Sequence, residues 1–448
     1  MAKITPFRGV LYNRKKAGVM ADLVSPPYDI ISPSDREKLY RKNPYNVVRL
    51  ELGLESPTDT NTDNRYIRAA ALLGGWFKEG ILRQDQAPAL YIYEMEYTTP
   101  RMSGQRYNVT KKLRGFICLV RIEDYQSGII KPHETTLSGP KTDRLNLLRA
   151  CKASFSQIYA LFSDVPGRIG GILANVVQKP DREVISSNDV SHRIWSLTDT
   201  NLIEAIVREM ADKQLFIADG HHRYDTALNY RNEQRKIAGT FTGTEPYNYV
   251  AMFLARMEDP GITILPAHRM LFNLTNFNPQ QFEDDLSLFF DIERIDFSTM
   301  SDTKNLETIL DTMEYLSNHN HVFGMRVKDE HSYYLLTLRN EEDMDVLLPE
   351  KSPAYRRLDV SILHHLVIDK LLGIKMATHK QGLNIEYIKD AGEAVAHVKN
   401  GAAEIVFFMN PTKVNDVKEV AAAGECMPQK ATYFYPKLVT GLVMHKIE

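Results

Sequence analysis

The run Phe216-Ile217-Ala218-Asp219-Gly220-His221-His222-Arg223-Tyr224 places cationic and hydrogen-bond-donating side chains where a short apolar strand should turn into a helix. Such a junction binds anions. Gly220 lets the backbone turn tightly, and the first helical N–H groups are left unpaired with the positive end of the helix dipole behind them. Arg223 adds a planar fork suited to phosphate oxygens, and His221 and His222 can donate to phosphate or move protons. The other reading of the same residues is a turn with solvated or core-satisfied histidines.

A second constellation lies upstream, at Lys131-Pro132-His133-Glu134, followed by Gly139-Pro140-Lys141-Thr142-Asp143-Arg144 and a helical pattern through Leu145 and Leu148. It supplies a carboxylate among cations. Transfer of a phosphoryl group to an alcohol needs a group that takes the hydroxyl proton and positive charge on the transferring oxygens. Glu134 suits the first task, and Lys141 or Arg144 the second. Taken alone, this stretch reads more readily as a charged loop before a helix; the pairing of the two motifs turns it toward chemistry.

The elements that must position these residues alternate along the whole chain, which predicts a mixed α/β architecture. Leu90 to Tyr97 and Gly115 to Ile122 read as strands, the second apolar enough to be buried on both faces. Ile203 to Lys213 reads as a helix, Leu215 to Ala218 as a strand, and Tyr224, Ala227 and Leu228 restart an apolar pattern at helical spacing. Later, Asn305 to Leu316, Leu358 to Leu372 and Val414 to Ala423 read as helices. His321 to Val327 and Tyr333 to Leu338 read as a hairpin, and Glu404 to Met409 and Thr432 to Tyr435 as further strands. Ser56 to Asn64 and Thr98 to Asn108 are the expected surface loops. The working division is an N-terminal α/β region over 1–112, a catalytic core over 113–275 and a C-terminal α/β domain over 276–448.

Bulk properties narrow the function class. The 448 residues suffice for two or three domains, each with its own core. With 55 basic and 57 acidic residues the net charge is -2, so the overall field gives no reason to expect nucleic acid or an anionic membrane as partner. The three cysteines, Cys118, Cys151 and Cys426, show no CxxC spacing and leave one unpaired in any disulfide scheme, which fits a reducing cytoplasm. No stretch approaches the ~20 apolar residues that span a bilayer, and the start Met-Ala-Lys-Ile-Thr-Pro-Phe-Arg carries no apolar run, so a soluble, unprocessed protein is expected. There is no GxxxxGK[ST] loop and no protein-kinase signature set.

Together, Lys131-Pro132-His133-Glu134 and Asp219-Gly220-His221-His222-Arg223 resemble, in type and order, the signature of the free serine kinases built on the ParB/sulfiredoxin-type fold. The resemblance spans roughly residues 113 to 440. It implies Glu134 as the base toward the serine hydroxyl, with His222 beside it in catalysis. Asp219, Gly220, His221 and Arg223 then hold phosphate, with Lys141, Arg144, His268 and Arg269 as further donor-side residues. His133 and Thr432 fall on the substrate side, and Asp219 is a candidate metal ligand. The closing loop Lys430-Ala431-Thr432-Tyr433-Phe434-Tyr435-Pro436 lacks the histidine that the archaeal-type kinases carry there, so that role does not transfer.

The N-terminal segments Ser25-Pro26-Pro27-Tyr28-Asp29 and Asn43 to Glu51 resemble a larger family that includes enzymes phosphorylating serine with inorganic pyrophosphate. Asp29, Arg49 or Glu51 would then border the donor. The expectation is therefore transfer onto L-serine from pyrophosphate, with ADP as the second choice of donor and Mg2+ as cofactor. The competing readings are a phosphoserine phosphatase and a ParB-like nucleotide-binding regulatory module.

Overall fold

The computed structural model describes residues 1–99, 108–136, 138–176, 179–275, 277–296, 302–375 and 384–447. Its centre is a nine-stranded mixed sheet. From one edge the strands run Ile130–Lys131, Leu215–Asp219, Ile158–Phe162, Tyr249–Arg256, Thr110–Arg121, Leu90–Thr98, Ser191–Leu197 and Arg182–Ile185; Ile4–Thr5 pairs with the far end of Thr110–Arg121. The mixed α/β expectation holds.

The apolar runs are long because both faces of this sheet are covered. Successive side chains of a strand point to opposite faces. On Thr110–Arg121, Leu113, Ile117 and Leu119 accordingly join one core while Phe116, Cys118 and Val120 join another. The second core is closed by Ile169 and Leu173 of the helix Arg168–Ala174, by Ile203, Ile206 and Met210 of Thr200–Met210, and by Tyr224 and Ala227 of His221–Ala238. Each large side chain so buried contributes about 1.5–3 kcal/mol. Gly115 is required at the sheet centre: a Cβ there would lie 2.2 Å from the Leu254 carbonyl oxygen on the neighbouring strand.

A second, fully antiparallel sheet of six strands has the order Phe290–Asp296, Ser332–Leu338, Val322–Val327, Ile405–Phe408, His268–Leu271, Ile385–Ile388. The helices Asp302–Leu316 and Ala391–Lys399 cover one face through Ile309, Met313, Val395 and Val398. A π-helix, Ile362–Leu371, packs with Phe282 and Leu286 in the core shared with the first sheet. The expected helix from Leu358 to Leu372 is thus mostly π, with a single α turn at Asp359–Ser361.

The other predicted elements appear with ends shifted by a few residues; 100–107 of the expected loop Thr98 to Asn108 lie outside the described residues. The division near 113 falls inside the strand Thr110–Arg121, and N-terminal strands share its sheet. The strand His268–Leu271 joins the second sheet before residue 276. Among the described residues, no helix is long and apolar enough to cross a membrane.

Candidate active site

The two motifs meet because Ile130–Lys131 runs parallel to Leu215–Asp219, with Ile130 opposite Leu215 and Lys131 opposite Phe216. Parallel neighbours leave a sheet at the same edge, so Pro132 to Glu134 emerge beside Ile217 to Gly220. His133 locks the junction. Its Nδ1–H donates to the Ile217 carbonyl at 2.6 Å, so Nε2 is the acceptor, and the Thr432 hydroxyl donates to it at 2.9 Å. Its backbone N–H donates to His221 Nε2 at 3.3 Å, and its carbonyl accepts from the Met427 N–H at 2.7 Å. Burial lowers the His133 pKa and keeps the ring neutral. Both ring nitrogens therefore serve the protein: His133 and Thr432, expected on the substrate side, bind each other.

Gly220 turns the chain with φ +91°, a left-handed conformation that glycine adopts without strain, and a Cβ there would come within 2.8 Å of the Arg223 guanidinium. Arg223 is pinned by donating to Asp219 Oδ2 at 2.7 Å and to the Gln157 carbonyl. Lys437, from the closing loop, donates to Asp219 Oδ1. Burial alone would raise the Asp219 carboxyl, but Lys437 and Arg223 outweigh it and hold it at about 2. Asp219 thus arranges two cations beside the helix start. As an expected metal ligand it has both oxygens already engaged.

Glu134 forms the rim, one quarter exposed, with Oε2 4.0 Å from His221 Nδ1 and Oε1 3.5 Å from the Lys430 backbone N–H. His221 accepts through Nε2, so its proton sits on Nδ1, the side facing Glu134. Burial, with His133 next, depresses the His221 pKa well below normal. Burial also lowers His222, and the Glu134 charge partly offsets it, which places His222 within electrostatic reach of the carboxylate.

Three lysines surround this point. Lys389 stands 3.7 Å over the Tyr433 ring and Lys437 4.5 Å from the same ring. Burial, then Lys437 and Lys430, lowers Lys389 to about 8. From the N-terminal region, Tyr28 stacks on Arg144 at 4.1 Å; burial raises its phenol to about 12, and the Arg223 charge reaches it too.

Other expected residues lie differently. Lys141 pairs with Asp225 Oδ2 at 3.5 Å, where Thr136 also donates. Arg144 is buried against Glu51 and Asp143. His268 lies inside the second sheet, its Nδ1 accepting from the Met409 N–H at 3.1 Å, and burial drives it to about 3, so it brings no charge to phosphate. Arg269 is buried behind the closing loop, donating to the carbonyls of Ala267 and Lys430 and to His364 Nε2. It supports the Lys430 turn from the inside. Arg49 stacks on Tyr40 and donates to the Tyr40 carbonyl.

Sequence reasoning missed Lys437, Lys389, Tyr28 and Tyr433. Lys437 follows Pro436 directly, and a cation at the end of a proline-closed loop is the one signal that pointed to it.

The edge of the mixed sheet thus gathers a carboxylate, a glycine turn into a helix and several cations. The chain belongs to the family described as protein of unknown function DUF1015, whose model matches residues 4–361. Lys389, Lys430, Thr432 and Lys437 fall beyond that span. No curated protein matches the chain. Among solved structures, a conserved hypothetical protein from Pyrococcus furiosus aligns with TM-score 0.33 and 10% identity over 74% of this chain and 95% of its own. A free serine kinase mutant in complex with AMP gives 0.34 and 11% over 74% and 91%. SbnI with C-terminal truncation from Staphylococcus aureus gives 0.34 and 11% over 72% and 85%.

Proposed function

We propose that this protein transfers a phosphoryl group to the hydroxyl of free L-serine, with pyrophosphate as the donor and ADP as the second choice. The observation that carries the reading is the position of Glu134: a partly exposed carboxylate 4.0 Å from His221 at the start of a helix whose first turn also carries Arg223. Glu134 takes the hydroxyl proton as the oxygen attacks. Arg223, Lys437, Lys430 and Lys389 lie on the side where charge accumulates on the phosphoryl oxygens and the leaving phosphate. A compact polyanion suits this crowding of cations, which favours pyrophosphate.

Mg2+ enters this reading bound to the donor, since it usually keeps water and phosphate oxygens and needs only one or two protein carboxylates. Among the described residues no three His, Cys, Asp or Glu side chains converge as a metal cage. Glu134 and Asp29 are the carboxylates at hand, with Asp29 exposed at the same mouth.

The test is formation of O-phosphoserine from L-serine and Mg2+ with pyrophosphate, ADP, ATP or no donor, for the native protein and Glu134→Gln. We expect product with pyrophosphate, and in Glu134→Gln a kcat lower by about 10²- to 10⁴-fold with donor binding retained. Absence of phosphoserine with every donor, or near-native turnover of the variant, overturns the reading.

A further inference from the structure

Arg223 also lines a cavity of about 50 Å³ that it shares with Glu51, Arg144, Ser156 and Thr226 and with apolar residues that include Ile158. We infer that this cavity seats the α-ammonium and α-carboxylate groups of the acceptor amino acid, an assignment that rests on the amino-acid phosphotransferase reading above.

Two wall groups ask for a partner. Arg223 Nε and Thr226 Oγ1 are both buried, and among the described residues neither has a hydrogen-bond partner. Thr226 is 3% exposed. Residues 223 and 226 are three apart on the helix His221–Ala238 and share its face. The Arg223 guanidinium cannot swing to find another partner, because its two terminal nitrogens are fixed on Asp219 and on the Gln157 carbonyl. Glu51 lines the same cavity, also buried, held by the Ser156 hydroxyl at 3.1 Å and by Arg144 at 3.4 Å.

The lining therefore offers unpaired donors, Arg223 Nε–H and the Thr226 hydroxyl, together with a carboxylate. A lone anion would face Glu51, and a lone cation would face Arg144 and Arg223. A zwitterion answers both, its carboxylate accepting from Arg223 Nε–H and the Thr226 hydroxyl and its ammonium donating to Glu51. The size is consistent: at roughly 10–15 Å³ per water site the cavity takes three to five small heavy-atom groups, enough for the head of a small amino acid. Arg223 belongs to both places: it lines the cavity, and its guanidinium lies against the Gly220 turn, Nε and one terminal nitrogen 2.9 and 2.8 Å from where a Cβ of residue 220 would stand.

The experiment is calorimetric titration of the full chain with L-serine, 3-hydroxypropionate, ethanolamine and inorganic phosphate, for the native protein, Thr226→Val and Thr226→Ser. We expect L-serine to bind, and both analogues, each lacking one charged group, to bind at least about tenfold more weakly, the worth of one lost charge-assisted hydrogen bond. Thr226→Val should weaken L-serine by a similar factor while leaving phosphate affinity unchanged, and Thr226→Ser, which restores the hydroxyl, should recover it. Native L-serine affinity in Thr226→Val, equal binding of the two analogues and L-serine, or no L-serine binding overturns the assignment. If the native protein binds L-serine with this pattern yet forms no phosphoserine, the kinase reading falls and the cavity stands. If phosphoserine forms and Thr226→Val keeps the native KM for serine, the reverse holds.

Discussion

His133 and His221 meet edge to face, ring centroids 4.6 Å apart and planes at 86°, joined by the hydrogen bond from the His133 amide to His221 Nε2. This contact fixes the His221 tautomer and directs its proton toward Glu134. Replacing His221 with alanine leaves the buried His133 amide without its acceptor and removes the donor beside the carboxylate. We expect a loss of about 1–3 kcal/mol in unfolding free energy, measured by chemical denaturation, together with a fall in kcat.

Several histidines are buried neutral. Burial lowers His192 and His268 to about 3 and His445 to about 4, and His133 and His221 are also lowered. In the unfolded chain these groups take protons near 6.5. The folded pKa values being depressed, their contribution is complete above 6.5 and is lost as the pH falls toward the folded values. Unfolding free energy should drop between pH 6.5 and 5 with a slope of about 1.4 kcal/mol per pH unit for each histidine that stays neutral. Denaturation curves across that window, where few carboxylates titrate, measure the slope; a flat profile contradicts the neutral assignment.

Asp219 holds Arg223 and Lys437 together, and Asp219→Asn leaves two partly buried cations without their shared counter-charge. Removing one partner of such a group costs about 3 kcal/mol or more. The expected result is a lower melting temperature and, on the pyrophosphate reading, a KM for pyrophosphate raised by about tenfold, since the released side chains no longer stand in one place. Because the native carboxyl titrates near 2, the native enzyme should show no limb from this group above pH 4.

Lys389 loses its charge near pH 8, far below an ordinary lysine, because burial and the neighbouring Lys437 and Lys430 disfavour the ammonium, with Asp29 opposing them. Affinity for the anionic donor should therefore weaken as the pH rises through 8. The KM for pyrophosphate measured from pH 7 to 9 should rise in the native protein. In Lys389→Met it should start higher and stay flatter across the same range.

Much of the local structure was legible. The apolar strand Leu215–Asp219, the glycine after it and the restart at Tyr224 follow from side-chain pattern alone. That Glu134 stands beside this turn was not legible, because it depends on the two-residue strand Ile130–Lys131, too short to carry a periodic signal. His268 and Arg269, after Pro266, are expected as donor-side cations. They prove to be strand residues because Met270 and Leu271 continue the segment into the second sheet. The break expected near 113 failed to account for a strand that polar residues lead into, Thr110 to Lys112, before the apolar run begins.

The site draws on Tyr28 near one end of the chain and on Lys430 and Lys437 near the other, and Met427 ties to His133 by a backbone bond. This imposes an order in time. A ribosome releases the Asp219 turn long before residues 427 to 437, so the nascent chain carries an unfinished centre in which Asp219 lacks Lys437 and His133 lacks Thr432. On the phosphotransferase reading, a chain broken off before Met427 lacks Lys430, Thr432 and Lys437 and should be inactive even where the Asp219 turn has folded.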